Sequence, residues 1–130
     1  MGETLVRPAP VKRSETCEGD PHQRLMGMRD AIDVLSGKWK IQLIGTLLFN
    51  DRMRFMDLLR EVNGIAAKML SKELKDLEAH QIVKRTEVQT KPITVEYEIT
   101  PYGRSLETVI IEISNWGMGH RRKIMKGSSD

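Results

Sequence analysis

A mainly α fold with one small β-hairpin, of the α+β class, is what this sequence predicts, on three observations. Apolar residues recur at helical spacing through most of the chain, two helical stretches are parted by only a tight turn, and one region of β-branched alternation interrupts the helical pattern. With 130 residues, 39% of them apolar, the chain supplies one modest core, so a single folded unit with ragged ends is expected.

Residues 1–22 mix Pro8, Pro10, Gly19 and Pro21 with scattered charges. They bury too little surface to offset the entropy of ordering, which predicts a mobile N-terminal arm. The folded domain is expected over residues 23–119. From Gln23, the residues Leu25, Met28, Ile32 and Leu35 keep a helical period until Ser36-Gly37 interrupts it. A second helix, Lys38 to Phe49, is apolar around much of its girth through Trp39, Ile41, Leu43, Ile44, Leu47 and Leu48, and so belongs in the middle. Asn50-Asp51-Arg52 is a turn. Phe55, Leu58, Leu59 and Val62 then mark a short third helix that stops at Asn63-Gly64, residue types that tolerate left-handed backbone angles.

A fourth helix, Ala66 to His80, begins three residues after the third ends, which is helix-turn-helix spacing. Two strands follow, Val83 to Gln89 and Ile93 to Ile99. The second alternates Ile93, Val95, Tyr97 and Ile99 with Thr94, Glu96 and Glu98, and Thr90-Lys91-Pro92 forms the hairpin tip. Thr100 as N-cap and Pro101 as first helical residue open a last helix whose apolar stripe is Leu106, Val109, Ile110, Ile113 and Trp116. Residues 120–130, basic and then Gly/Ser-rich, are expected as a flexible tail. A hairpin directly after a helix-turn-helix is a wing, so the architecture expected is a winged helix-turn-helix.

The formal net charge of +3 and the pI of about 9.1 suit an anionic partner but do not identify one, so placement decides. On the fourth helix Lys68, Ser71, Lys72 and Lys75 fall within an arc of about 100°, nearly opposite Leu70, Leu74 and Leu77. A helix with one packing face and one basic face, second in a helix-turn-helix, suits the major groove of double-stranded DNA. Ala66 and Ala67 are small enough for close approach and for contact with thymine methyl groups. Lys68, Ser71 and Lys72 are candidates for base edges and Lys75 for phosphate. The wing supplies Lys84, Arg85 and Lys91, with Lys91 at the tip.

Glu73, Asp76 and Glu78 share the fourth helix, Glu87, Glu96 and Glu98 share the hairpin, and exposed lysines are ordinarily just solvated. The alternative is a winged-helix module that binds protein instead of DNA. It would tolerate a neutral face, and Lys68, Lys72 and Lys75 argue the other way.

No Gly-rich phosphate loop, paired-carboxylate site or Ser/His/Asp arrangement is present, so no enzymatic activity is expected. One cysteine cannot form an internal disulfide, and the first residues carry Glu3 and Arg7 without an apolar run suited to a signal peptide or membrane helix. A cytoplasmic protein with no membrane contact is the expectation. His22, His80 and His120 lie far apart and show no metal-ligand spacing, so neither metal nor cofactor is expected. Most of the eight methionines read as gap fillers.

A domain this small has little core left to cover Leu25 and Met28 of the first helix together with Leu106, Val109, Ile110, Ile113 and Trp116 of the last. These seven are the expected homodimer interface, the alternative being that Trp116 closes its own core. Two-fold symmetry would set the fourth helices about 34 Å apart and call for an inverted-repeat operator.

Three ordered motifs, Asp33-Val34-Leu35-Ser36-Gly37-Lys38-Trp39-Lys40, the run from Gly64 to Glu78, and the run from Val95 to Gly103, resemble the HxlR family of winged-helix transcriptional regulators. The resemblance spans about Met26 to Gly117. It implies a dimeric regulator of MarR-like architecture, with the helix from Ala66 as recognition helix and the terminal helices as interface. By analogy it also allows a small-molecule effector between the terminal helices and the wing-bearing core, which no residue here identifies. A sensor cysteine common in the family falls at Met26, so that thiol is absent, and Cys17 lies upstream in the arm with no fixed cation to activate it. Met56 stands where the family often has a helix-capping polar residue.

Overall fold

A computed structural model describes residues 18–127. Cys17 and residues 1–17 of the expected arm lie outside them, as do residues 128–130. The chain divides after Leu35 into two units.

The first unit contains helix α1, Pro21–Leu35. It starts before the expected Gln23 because Asp20 and Gln23 form a reciprocal cap: the Gln23 N–H donates to Asp20 Oδ1 and the Asp20 N–H to Gln23 Oε1, each at 2.9 Å. Pro21, at the first helical position, has no N–H to leave unpaired. No residue of α1 is buried, and Leu25, Met28 and Ile32 are exposed.

The second unit carries α2 (Lys40–Leu48), β1 (Met53–Arg54), α3 (Phe55–Glu61), α4 (Ala67–Ala79), β2 (Val83–Val88), β3 (Thr94–Ile99), a 3-10 turn (Gly103–Leu106) and α5 (Glu107–Met125). This is the mainly helical fold with a β-hairpin that the sequence predicts. Its centre is α2, where Leu43, Ile44 and Leu47 are fully covered, as are Leu58 of α3 and Leu70 and Leu77 of α4. Leu74 of α4, Val83 of β2, Tyr97 and Ile99 of β3 and Ile110 of α5 also belong to the core.

The turn from α3 to α4 uses Gly64 at φ +91°, a left-handed angle that glycine adopts without strain. Asp57, three residues after the N-cap Arg54, accepts the Arg54 N–H at 3.4 Å and supports the start of α3. Met56 sits exposed inside that first turn, two residues after the N-cap Arg54.

The sheet is antiparallel in the order β1-β3-β2. Strand β1, not foreseen from the sequence, pairs Met53 with Tyr97 and Arg54 with Glu96. In the hairpin Val83 faces Ile99 and Arg85 faces Tyr97. At its tip the Thr90 hydroxyl donates to the Pro92 carbonyl at 2.7 Å.

Thr100 is not the N-cap of the α-helix; it ties down the loop that leads into the 3-10 turn, its Oγ1 accepting the Gly103 N–H at 2.8 Å and donating to the Gln81 carbonyl at 2.7 Å. The α-helix starts at Glu107 and continues to Met125, so the segment expected as a flexible tail from residue 120 is helical for six residues.

Candidate nucleic-acid interface

Helix α4 is fixed by three leucines and leaves the opposite face open. Leu70, Leu74 and Leu77 are buried, whereas Lys68, Ser71, Lys72 and Lys75 are exposed. Ala66 is its N-cap residue, in extended conformation, and Ala67 its first helical residue; both are exposed. The expected division into packing and basic faces therefore holds. Among the described residues, no hydrogen bond or ion pair engages Lys68 or Lys75. Both ammonium groups are available to an incoming anion.

Lys72 is engaged. Its Nζ lies 3.4 Å from Asp76 Oδ2 and 3.6 Å from Glu73 Oε2. Behind it, Lys40 of α2 lies 2.5 Å from Glu73 Oε1 and 3.2 Å from Asp76 Oδ2. Lys40 and Glu73 are only 7% exposed each, so this is a buried ion pair tying α2 to α4. Burial alone would push the Lys40 ammonium down, but the hydrogen bonds and charges of Glu73 and Asp76 outweigh it and hold its pKa above the usual lysine value. The Asp76 carboxyl is held below its ordinary range by the hydrogen bond from Lys40, which outweighs the opposing effect of burial, with a further contribution from Lys72.

Of the three acidic residues that share this helix, Glu73 is the one the structure turns inward. It occupies the leucine face between Leu70 and Leu77, and Lys40 occupies the equivalent register before Leu43, Ile44 and Leu47. A charged residue in core register on each of two helices was the signal available.

The wing residues separate. Alternation along β2 sends Lys84 and Arg85 to opposite faces of the hairpin. Arg85, its guanidinium 3.5 Å from Glu87, lines an open cleft of about 470 Å³ with Ser71, Lys75 and Glu78 of α4 and Val95 and Tyr97 of β3. Lys84 pairs in register with Glu98, on the face where Arg52 lies 3.6 Å from both Glu96 and Glu98. Lys91 is exposed at the tip. The structure therefore brings Ser71, Lys75 and Arg85 together and leaves Lys84 and Lys91 apart from them.

Of the seven expected interface residues, Leu25 and Met28 are exposed on α1, and Val109, Ile113 and Trp116 are exposed along α5. Leu106 is half-buried. Ile110 is a correction: it is 4% exposed and packs toward Gly45 of α2, so its own chain already covers it. Trp116 does not close the core; it is 71% exposed and stacks on His120 at 4.9 Å between ring centres. Among the described residues, no group of His, Cys, Asp and Glu is gathered as a metal site requires, and no helix is long and apolar enough to cross a membrane.

Comparison with known proteins agrees with this geometry. Residues 34–125 match the HxlR-like helix-turn-helix family. The chain is 38% identical over 87 residues to the HTH-type transcriptional regulator YdzF of Bacillus subtilis, covering 67% of this chain and 80% of that protein. Its fold is similar to the redox regulator HypR in its reduced form, with a TM-score of 0.71 and 32% identity over 77% of this chain and 98% of that one. It is likewise similar to the HTH-type transcriptional regulator ytcD, with a TM-score of 0.69 and 34% identity over 73% and 96% of the two chains. The match over residues 34–125 and these similarities together show that the chain belongs to the HxlR-like helix-turn-helix family of DNA-binding transcriptional regulators.

Proposed function

We propose that this protein acts in the cytoplasm as a homodimer that binds an inverted-repeat DNA operator, with α4 in the major groove and the hairpin tip on the adjacent backbone. The observation that carries the reading is the basic outer face of α4, held outward by Leu70, Leu74 and Leu77. Lys68, Ser71 and Lys72 lie in its first two turns, where side chains of a groove-bound helix reach base edges, with Ala66 and Ala67 admitting close approach. Lys75 and Arg85, sharing a cleft between helix and wing, suit a phosphate, as does Lys91 at the tip. Lys84, on the acidic face of the hairpin, contributes least.

The dimer is supported by apolar surface that the single chain leaves uncovered. Val109, Ile113 and Trp116 fall on one stripe of α5 and Leu25 and Met28 on one stripe of α1, and a second copy would remove both from water. Selection of bound fragments from random duplex DNA tests the proposal. An approximate inverted repeat with half-sites about one helical turn apart is the expected outcome. Recovery of unrelated fragments with no shared sequence would reject it and favour the protein-binding alternative.

A further inference from the structure

Four charges meet between the first residue of α2 and the middle of α4, and they are not equivalent. Lys40 is buried and cannot itself reach DNA, while Lys72, 63% exposed on its side chain, lies on the outer face of α4. Both ammonium groups donate to the same oxygen, Asp76 Oδ2, at 3.2 and 3.4 Å. They also divide Glu73, with Lys40 on Oε1 and Lys72 on Oε2. Glu73 and Asp76 therefore each have one partner inside the fold and one facing out.

Resting on the reading of α4 as the DNA-contacting helix, we infer that Lys40 is a positioning residue for DNA recognition: it holds Glu73 and Asp76 from within, which leaves Lys72 free to exchange its carboxylate partners for an acceptor on DNA. When Lys72 swings out to a phosphate or base edge, both carboxylates keep a cation. Without Lys40, Lys72 is, among the described residues, the only cation in contact with the two carboxylates, one of them buried. Its departure would then strand a buried negative charge, a large penalty. An unneutralised carboxylate pair on the groove-facing helix would also repel the phosphates it approaches.

The test uses the full chain and a fluorescently labelled duplex carrying its selected site, read by anisotropy. Lys40→Met alone would strand Glu73 and risks unfolding, so the paired variant Lys40→Met/Glu73→Met is used, since apolar replacement of a whole buried ion pair is commonly tolerated. Lys40→Gln/Glu73→Gln serves as a second neutral pair. Lys72→Ala should lower affinity roughly tenfold, the value of one charge-assisted contact; in the paired variant the buried carboxylate is gone and Lys72 is held by Asp76 alone, so affinity should fall by about threefold. Adding Lys72→Ala to the paired variant should cost about a further threefold, less than the roughly tenfold it costs in the wild type, because the two changes act through the same contact. Adding Asp76→Asn to the paired variant should restore most of the affinity by releasing Lys72, which no repair of packing would do. A paired variant that binds like the wild type, or an Asp76→Asn that restores nothing, overturns the inference. A wild-type chain with no salt-sensitive affinity for any duplex overturns instead the DNA-binding reading on which it rests.

Discussion

Single residues decide how the wing joins the last helix. A Cβ on Gly103 would lie 2.3 Å from the Ile82 carbonyl oxygen and 3.0 Å from Ile99 Cγ2, so the backbone of the turn approaches the start of β2 as only glycine permits. Thr100, bridging Gln81 and Gly103 through one hydroxyl, fixes that approach. Gly103→Ala is expected to cost about 1–3 kcal/mol, the range for overpacking, as measured by urea unfolding; an unchanged midpoint would refute the close contact. Asp76 makes stability depend on pH. Its carboxyl is lowered in the fold, so the stability it contributes is present above its ordinary pKa of 3.8 and is lost as pH falls below that value through the folded one. Unfolding of the wild type and Asp76→Asn compared from neutral pH down through this window should show a shallower acid loss in the variant. Lys40 has the opposite sign: its raised pKa gives stability present below 10.5 and lost as pH climbs past it.

At the scale of elements, the proposed function divides the work between α4 and the hairpin. Lys72 lies among the base-edge candidates and Lys91 at the wing tip, so Lys72→Ala should weaken binding to the selected site more than to random duplex, whereas Lys91→Ala should weaken both and flatten the salt dependence. Equal losses in both assays for both variants would erase this division. Much of this was legible in the sequence. The leucine spacing placed α4 and its basic face, Asn63-Gly64 placed the turn before it, and the alternation from Ile93 to Ile99 placed the wing. What was not legible depended on how elements dock. Strand β1 is two residues long and exists only because Met53 and Arg54 pair with Tyr97 and Glu96 of a strand more than forty residues on. The Lys40–Glu73 pair joins residues 33 apart, and helical period alone cannot say that both charges turn inward toward each other. The opposite faces of Lys84 and Arg85 follow from simple strand alternation and were readable; grouping them by charge obscured it.

For the whole molecule, the central expectation is a two-fold assembly that sets two basic helices against one duplex. Trp116, exposed on α5 beside Val109 and Ile113, is the anchor of the expected contact. Trp116→Arg should give monomers by light scattering and lose most operator affinity, because one half-site contributes too little alone; a variant that stays dimeric would reject this surface. Ile110 is no substitute target, since its own chain buries it and any change there would report on folding. The most direct measurement is the salt dependence of binding to the selected duplex. If Lys75 and Lys91 of each protomer meet phosphates, log K should fall against log salt with a slope of roughly −4, at about −0.9 per contact. A slope near zero, with the protein folded and the duplex intact, would contradict the account.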